Sequence, residues 1–237
     1  MEMKKKVTRK PEQVGGFMTP RRQILHAGSP FAVKEAYKTL RTNIRFSLRE
    51  KGCKRFCITS AMSGEGKSIT MLNLAISIAE TGKKVLLIDA DMRRPALVRL
   101  LVEKGTPGLS NVLAGIVEAE EAIRPEIYPH LDVMFSGDIP PNPSELLSSE
   151  RMQDMVESLS KRYDYILIDT PPVGVVSDAC IVANLLDGVL LLVRQGSSRK
   201  DAVAYSINQL ELTGAKLLGT ILNGVPRESG KNYGYYD

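Results

Sequence analysis

The sequence predicts an α/β protein with a doubly wound, mostly parallel sheet flanked by helices. Three observations predict it. Short runs rich in Ile, Val and Leu recur along the chain, and some are apolar without interruption, as suits strands buried on both faces of a parallel sheet. Stretches of helical periodicity lie between them with short connections, which favours right-handed crossovers. A glycine- and lysine-bearing turn follows one early strand-like run and opens a helix. With 237 residues, 43 % of them hydrophobic and 25 % charged, the chain can bury the core of one such domain.

The elements follow in order. Residues 1–28 read as a basic, flexible tail that is poor in apolar residues. The formal net charge is +5, and this excess falls within residues 1–22, which include Lys4, Lys5, Lys6, Arg9, Lys10, Arg21 and Arg22. Two readings fit the tail: contact with anionic lipid or an acidic partner, or a solubilising leader. The rest of the chain is electrically balanced, which argues against nucleic-acid binding.

Ser29-Pro30 looks like a helix start, and Val33, Tyr37, Leu40, Ile44 and Leu48 then recur at helical spacing. Strands are expected over 55–60, 84–89, 131–135, 165–169, 188–193 and 217–222. Helices are expected over 67–81, 144–162, 177–186 and 199–212, with Gly82 and Gly214 as stops. Residues 95–128 read as short helices separated by glycines. The domain is expected to run from 29 to 224, followed by a flexible tyrosine-rich tail over 225–237. No apolar run is long enough to span a bilayer, and no apolar segment of a signal peptide follows the basic start, so the expected location is the cytoplasm. Cys53, Cys57 and Cys180 form no disulfide framework or zinc-ligand pattern and read as packing residues.

The clearest chemistry lies in Ser60-Ala-Met-Ser-Gly-Glu-Gly-Lys-Ser68. Between a strand and a helix, such a loop turns backbone N–H groups onto phosphate. Ser63, Gly64, Glu65, Gly66, Lys67, Ser68 and Ile69 are therefore the candidate nucleotide-binding residues. Lys67 would supply charge to the β- and γ-phosphates, and Ser68 a hydroxyl to magnesium. The first glycine of the usual pattern is Ala61, so the chain there must hold an ordinary φ. The fold expected is thus P-loop NTPase-like.

Two apolar strands end in carboxylates: Val85-Leu-Leu-Ile-Asp-Ala-Asp91 and Tyr165-Ile-Leu-Ile-Asp169. The C-terminal ends of parallel strands share one edge, so Asp89, Asp91 and Asp169 should meet the loop there. Hard oxygen ligands and a proton acceptor are what a magnesium–nucleotide site needs. Arg93 and Arg94 follow; either phosphate contact or surface charge is consistent with them.

Together these motifs resemble the bacterial tyrosine kinase family, in which they are termed Walker A, Walker A′ and Walker B. Pro140-Pro-Asn-Pro-Ser-Glu-Leu-Leu147 and Tyr233-Gly-Tyr-Tyr236 are similar to that family as well. The resemblance implies ATP and Mg2+ as cofactors, Lys67, Asp89 and Asp91 as catalytic residues, and Ser68, Asp91 and Asp169 at the metal. Asp89 would be the candidate base, with the division between Asp89 and Asp91 left open. Asn223 is a candidate adenine contact or a turn residue. The phosphoacceptors would be Tyr233, Tyr235 and Tyr236, modified in trans. Glu35, Lys38 and Arg41 would match the family's oligomer contact, with lysine replacing an arginine; a solvated ridge is the plainer reading. The resemblance further implies a homo-oligomer (a ring in some members), other protein-tyrosine substrates, recruitment to the membrane by an adaptor of the polysaccharide co-polymerase type, and a role in capsular or exopolysaccharide synthesis. The competing expectation is a partitioning or division-type switch ATPase; Met62 stands where that class carries a signature lysine.

Overall fold

The computed structural model describes residues 23–48 and 52–225. Its elements are α1 (Phe31–Ser47), β1 (Lys54–Ser60), α2 (Lys67–Ala79), β2 (Val85–Asp89), α3 (Leu97–Leu101), α4 (Leu109–Leu113), α5 (Ala119–Ala122), β3 (Ile123–Tyr128), β4 (Leu131–Met134), α6 (Pro143–Leu147), α7 (Glu150–Leu159), β5 (Tyr165–Asp169), α8 (Asp178–Ala183), β6 (Gly188–Arg194), α9 (Lys200–Leu212) and β7 (Leu217–Asn223).

The seven strands form one sheet in the order β3-β4-β2-β5-β1-β6-β7. All pairs are parallel except β3 with β4. The uninterrupted apolar runs divide by period two between the sheet's faces. Cys57, Leu86, Ile88, Ile166 and Ile168 join one core with Met152, Val156 and Leu159 of α7, Val182 of α8 and Leu210 of α9. Phe56, Ile58, Val85, Leu87 and Leu167 join the other, with Met71, Leu74 and Ile78 of α2 and Ile44 of α1. Each fully buried Leu, Ile or Phe contributes about 1.5–3 kcal/mol. The central strands are thereby fixed, and so is the edge where β1, β2 and β5 end.

Three features depart from the sequence expectation. The helix expected over 144–162 is two helices, because Ser149 caps α7 by accepting from the Met152 N–H. Residues 123–128 form the edge strand β3, which the helix expectation for that stretch missed; Pro125 and a half-exposed face hid it. The expected tail boundary at residue 28 also falls too late. Ile24 and Leu25 are buried in the core on the α2 face. The Asn73 side chain on α2 accepts from the Leu25 N–H at 2.8 Å and donates to the Gln23 carbonyl at 2.9 Å, clamping this segment.

Candidate nucleotide and phosphotransfer site

β1 sits inside the sheet between β5 and β6, and its C-terminal end leads into the glycine loop. Gly64 and Gly66 take positive φ, 82° and 98°, which the curl of the loop requires. A Cβ on Gly66 would stand 2.5 Å from Asn223 Nδ2. Ala61 is fully buried and has no positive φ, so the departure from glycine is accommodated.

The loop is held from outside. Glu65 is buried, with Oε2 accepting from the Met62 N–H at 3.1 Å and Oε1 accepting from the Ser198 hydroxyl. Asn223 Nδ2 donates to the Glu65 carbonyl at 2.9 Å, while its Oδ1 accepts from the Gly224 N–H. Arg194 donates to the Gly64 carbonyl at 3.2 Å. Both ends of the Asn223 amide are thus engaged by backbone, and its place is a loop tether as well as a turn. Ser198 and Arg194 lie more than 120 residues from the loop in sequence, and no local signal marks them.

A cleft of about 780 Å³ opens over the loop. Of the expected nucleotide-binding residues, Ser63, Gly64, Gly66, Lys67, Ser68 and Ile69 line it; Glu65 and Asn223 do not. Lys67 Nζ lies 3.1 Å from Asp91 Oδ2, 3.4 Å from Ser68 Oγ and 3.8 Å from Asp169 Oδ1. Burial alone would lower the pKa of this ammonium, but Asp169 and Asp91 outweigh burial and hold it above its ordinary value.

The three carboxylates differ. Asp89 and Asp169 are register partners on β2 and β5, and both are fully buried. Asp89 Oδ1 accepts from the Asp91 N–H at 3.1 Å and Oδ2 from the Leu97 N–H at 3.2 Å. Burial, then the neighbouring Asp169, pushes its pKa up to about 8. Neither Asp169 oxygen has a hydrogen-bond partner, and burial raises its pKa against the pull of Lys67. Asp91 lines the cleft, with Oδ1 accepting from the Arg94 N–H. Asp89 therefore holds the segment after β2, residues 91–97, and Asp91 is the carboxylate that lines the cleft.

Among the described residues no group of three or more His, Cys, Asp or Glu closes a metal cage. A magnesium ion arriving with a nucleotide keeps waters and phosphate oxygens and needs only one or two protein groups. Asp91 and Ser68, with the Asp169 carboxylate that accepts no hydrogen bond, fit that demand.

Arg93 donates to Asp178 at 2.9 and 3.1 Å and to Ser144 at 3.0 Å, tying the loop after β2 to α6 and α8. It is a strut, a third role beside the two the sequence left open. On α1, Lys38 and Glu35 pair at 2.7 Å, while Arg41 turns onto the carbonyl and hydroxyl of Ser77 in α2. Met62 is exposed. The expected phosphoacceptors Tyr233, Tyr235 and Tyr236 lie outside the described residues.

A family model described as an AAA domain matches residues 53–195. Tyrosine-protein kinase YwqD of Bacillus subtilis is 44 % identical over 202 residues, covering 85 % of each chain. The chain belongs to the bacterial tyrosine kinase family. Tyrosine-protein kinase CpsD of Streptococcus agalactiae is 43 % identical, covering 85 % of this chain and 86 % of that protein. The kinase domain of the Escherichia coli tyrosine kinase ETK superposes with a TM-score of 0.79 at 37 % identity, covering 86 % of this chain and 80 % of that one. The cell-division protein MinD of Aquifex aeolicus gives 0.61 at 27 % identity, over 73 % and 70 %. The P-loop NTPase-like fold is common to both groups. The chain's enzyme class is that of its family, protein-tyrosine kinase, and with it comes the use of ATP.

Proposed function

We propose that this chain transfers the γ-phosphoryl group of ATP, with Mg2+, to Tyr233, Tyr235 and Tyr236 of another copy, and thereby controls capsular or exopolysaccharide synthesis. The observation that carries this reading is the convergence of Lys67, Asp91 and Asp169 beneath a phosphate-binding loop. Lys67 would neutralise charge on the β- and γ-phosphates, and the α2 N-terminus would hold them. Ser68, Asp91 and Asp169 would hold Mg2+, which would supply positive charge against the charge that develops in transfer. Asp91, on the cleft, is placed to meet the tyrosine hydroxyl or the metal's waters. Asp89 would act through the 91–97 segment it orders, or as base once its carboxyl is freed of its proton.

Supporting this reading, three tyrosines cluster in the last five residues, spaced by one glycine. Each phosphate adds about −1.5 to −2 charge, so successive modification should repel the tail from a carboxylate-lined site. Self-assembly through Glu35, Lys38 and Arg41 belongs to the same proposal and requires Arg41 to leave Ser77. Among the described residues no helix is long and apolar enough to cross a membrane. Recruitment to the inner face of the membrane would fall to an adaptor of the polysaccharide co-polymerase type.

The test is phosphopeptide mapping after incubation with ATP and Mg2+, with the cytoplasmic segment of a candidate adaptor supplied. Phosphate on the three tail tyrosines, absent in Lys67→Met, is expected. ADP release without tyrosine phosphate would favour a switch ATPase instead.

A further inference from the structure

Four arginines line the cleft, and they are not equivalent. Arg93 is spent on Asp178 and Ser144, and Arg194 on the Gly64 carbonyl. Arg94 and Arg99 are exposed, and no acceptor among the described residues takes either guanidinium. Two uncompensated guanidiniums on one wall of a cleft are a recognition element for an anion.

Their place in the sheet indicates which anion. The phosphate loop follows β1, whereas Arg94 and Arg99 follow β2, two strands away, with β5 between. Arg194 and Asn223 end β6 and β7 on the opposite side of β1. A nucleotide on the α2 N-terminus with its γ-phosphate toward Asp91 leaves the leaving group away from β2. Attacking and leaving oxygens lie roughly in line in phosphoryl transfer, so the acceptor enters from the β2 side. There it meets Arg94 and Arg99, with Pro171, Pro172 and Val175 offering apolar contact for a tyrosine ring. Arg99 also borders an adjoining basin that Lys104 lines, so positive charge continues outward from the cleft.

We propose that Arg94 and Arg99 form an anion subsite on the acceptor side, selecting tyrosine segments that carry a carboxylate or a phosphotyrosine beside the acceptor. The proposal rests on the kinase reading of the cleft. Its consequence is an order of modification: a tail phosphorylated once binds better for the next transfer, until accumulated charge expels it.

The experiment measures binding of three short tyrosine peptides to the full chain loaded with Mg2+ and ADP, by fluorescence polarisation at low and physiological salt. One peptide is neutral around the tyrosine, one has flanking aspartates, and one has a neighbouring phosphotyrosine. The last two should bind more tightly than the neutral peptide, and the advantage should shrink with salt. Arg94→Gln with Arg99→Gln should weaken the anionic peptides by about three- to tenfold and leave the neutral peptide and ADP unchanged. The single Arg99→Gln variant, on the exposed side of α3, guards against a folding defect. Equal binding of all three peptides, retention of the preference in the double variant, or an equal loss of ADP affinity would overturn the proposal. Preference for the phosphotyrosine peptide alone would narrow the ligand to phosphate and uphold it. Transfer to tyrosine is not read in this assay, so failure of the kinase reading shows separately, as ATP turnover without phosphotyrosine.

Discussion

The ends of β2 and β5 present the same residue in the same setting, with different partners. Asp89 and Asp169 face each other in register, and both are fully buried. Asp89 is satisfied by two backbone N–H groups of the segment it organises, whereas Asp169 has no hydrogen-bond partner and only the Lys67 ammonium at 3.8 Å. A buried carboxylate with donors is part of the architecture. One without such donors costs stability, and its lone pairs are open to a group that joins the site. Equal burial therefore does not mean equal role, and the donors decide.

The largest effect should come from breaking the side of this pair that has no N–H donors. Asp169→Asn should reduce tyrosine phosphorylation by about 10²-fold or more, as loss of a charge-stabilising group does. Its melting temperature without nucleotide should change little, since no N–H bond to the carboxylate is lost, its burial cost is relieved and Lys67 keeps Asp91. A parallel loss of stability and activity would put Asp169 in the same class as Asp89. Thermal unfolding beside a phosphotransfer assay makes the comparison.

Asp89→Asn should show the reverse balance. An amide cannot accept from both the Asp91 and Leu97 N–H groups with its nitrogen end, so about 1–3 kcal/mol of stability should be lost. Denaturant unfolding measures it, and an unchanged midpoint would contradict the structural role.

A smaller effect is expected at Asn223. Asn223→Ala frees the Glu65 carbonyl and loosens the loop, for a net loss of about 1 kcal/mol. The KM for ATP should rise severalfold while kcat changes little. A fall in kcat alone would argue against a tether.

The smallest effect is a slope with pH. The Asp89 carboxyl is raised in the folded state from 3.8 to about 8, and Asp169 is raised as well. A raised carboxyl binds its proton more tightly when folded. Its contribution is therefore complete below the ordinary carboxylate value and is lost as pH rises through the folded value. Stability of the nucleotide-free chain should fall between about pH 4 and about pH 8. Asp169→Asn should flatten that fall; an unchanged slope would show that Asp169 does not contribute.

The strands that carry the site were legible because burial on both faces leaves an unmistakable apolar run. The glycine loop and its lysine were legible because φ > 0 and phosphate binding restrict residue choice locally. Asp89 and Asp91 could not be told apart on one strand end, since their roles depend on which backbone N–H groups fold back onto them. Ser198, Arg194 and the tethering contact of Asn223 were equally hidden, being contacts across more than 120 residues. The edge strand β3 was missed because half-exposed edges lack the apolar signal, and the split after α6 because Ser149 acts as a cap only in context.

The most direct measurement mixes two variants with ATP and Mg2+ in the presence of the adaptor segment. One carries Lys67→Met with its tail tyrosines intact. The other has an intact site but Tyr233, Tyr235 and Tyr236 changed to Phe. Mass spectrometry should find phosphate on the tail of the Lys67→Met chain, and only when its partner is present. ADP accumulating with no phosphotyrosine on that tail would contradict the account.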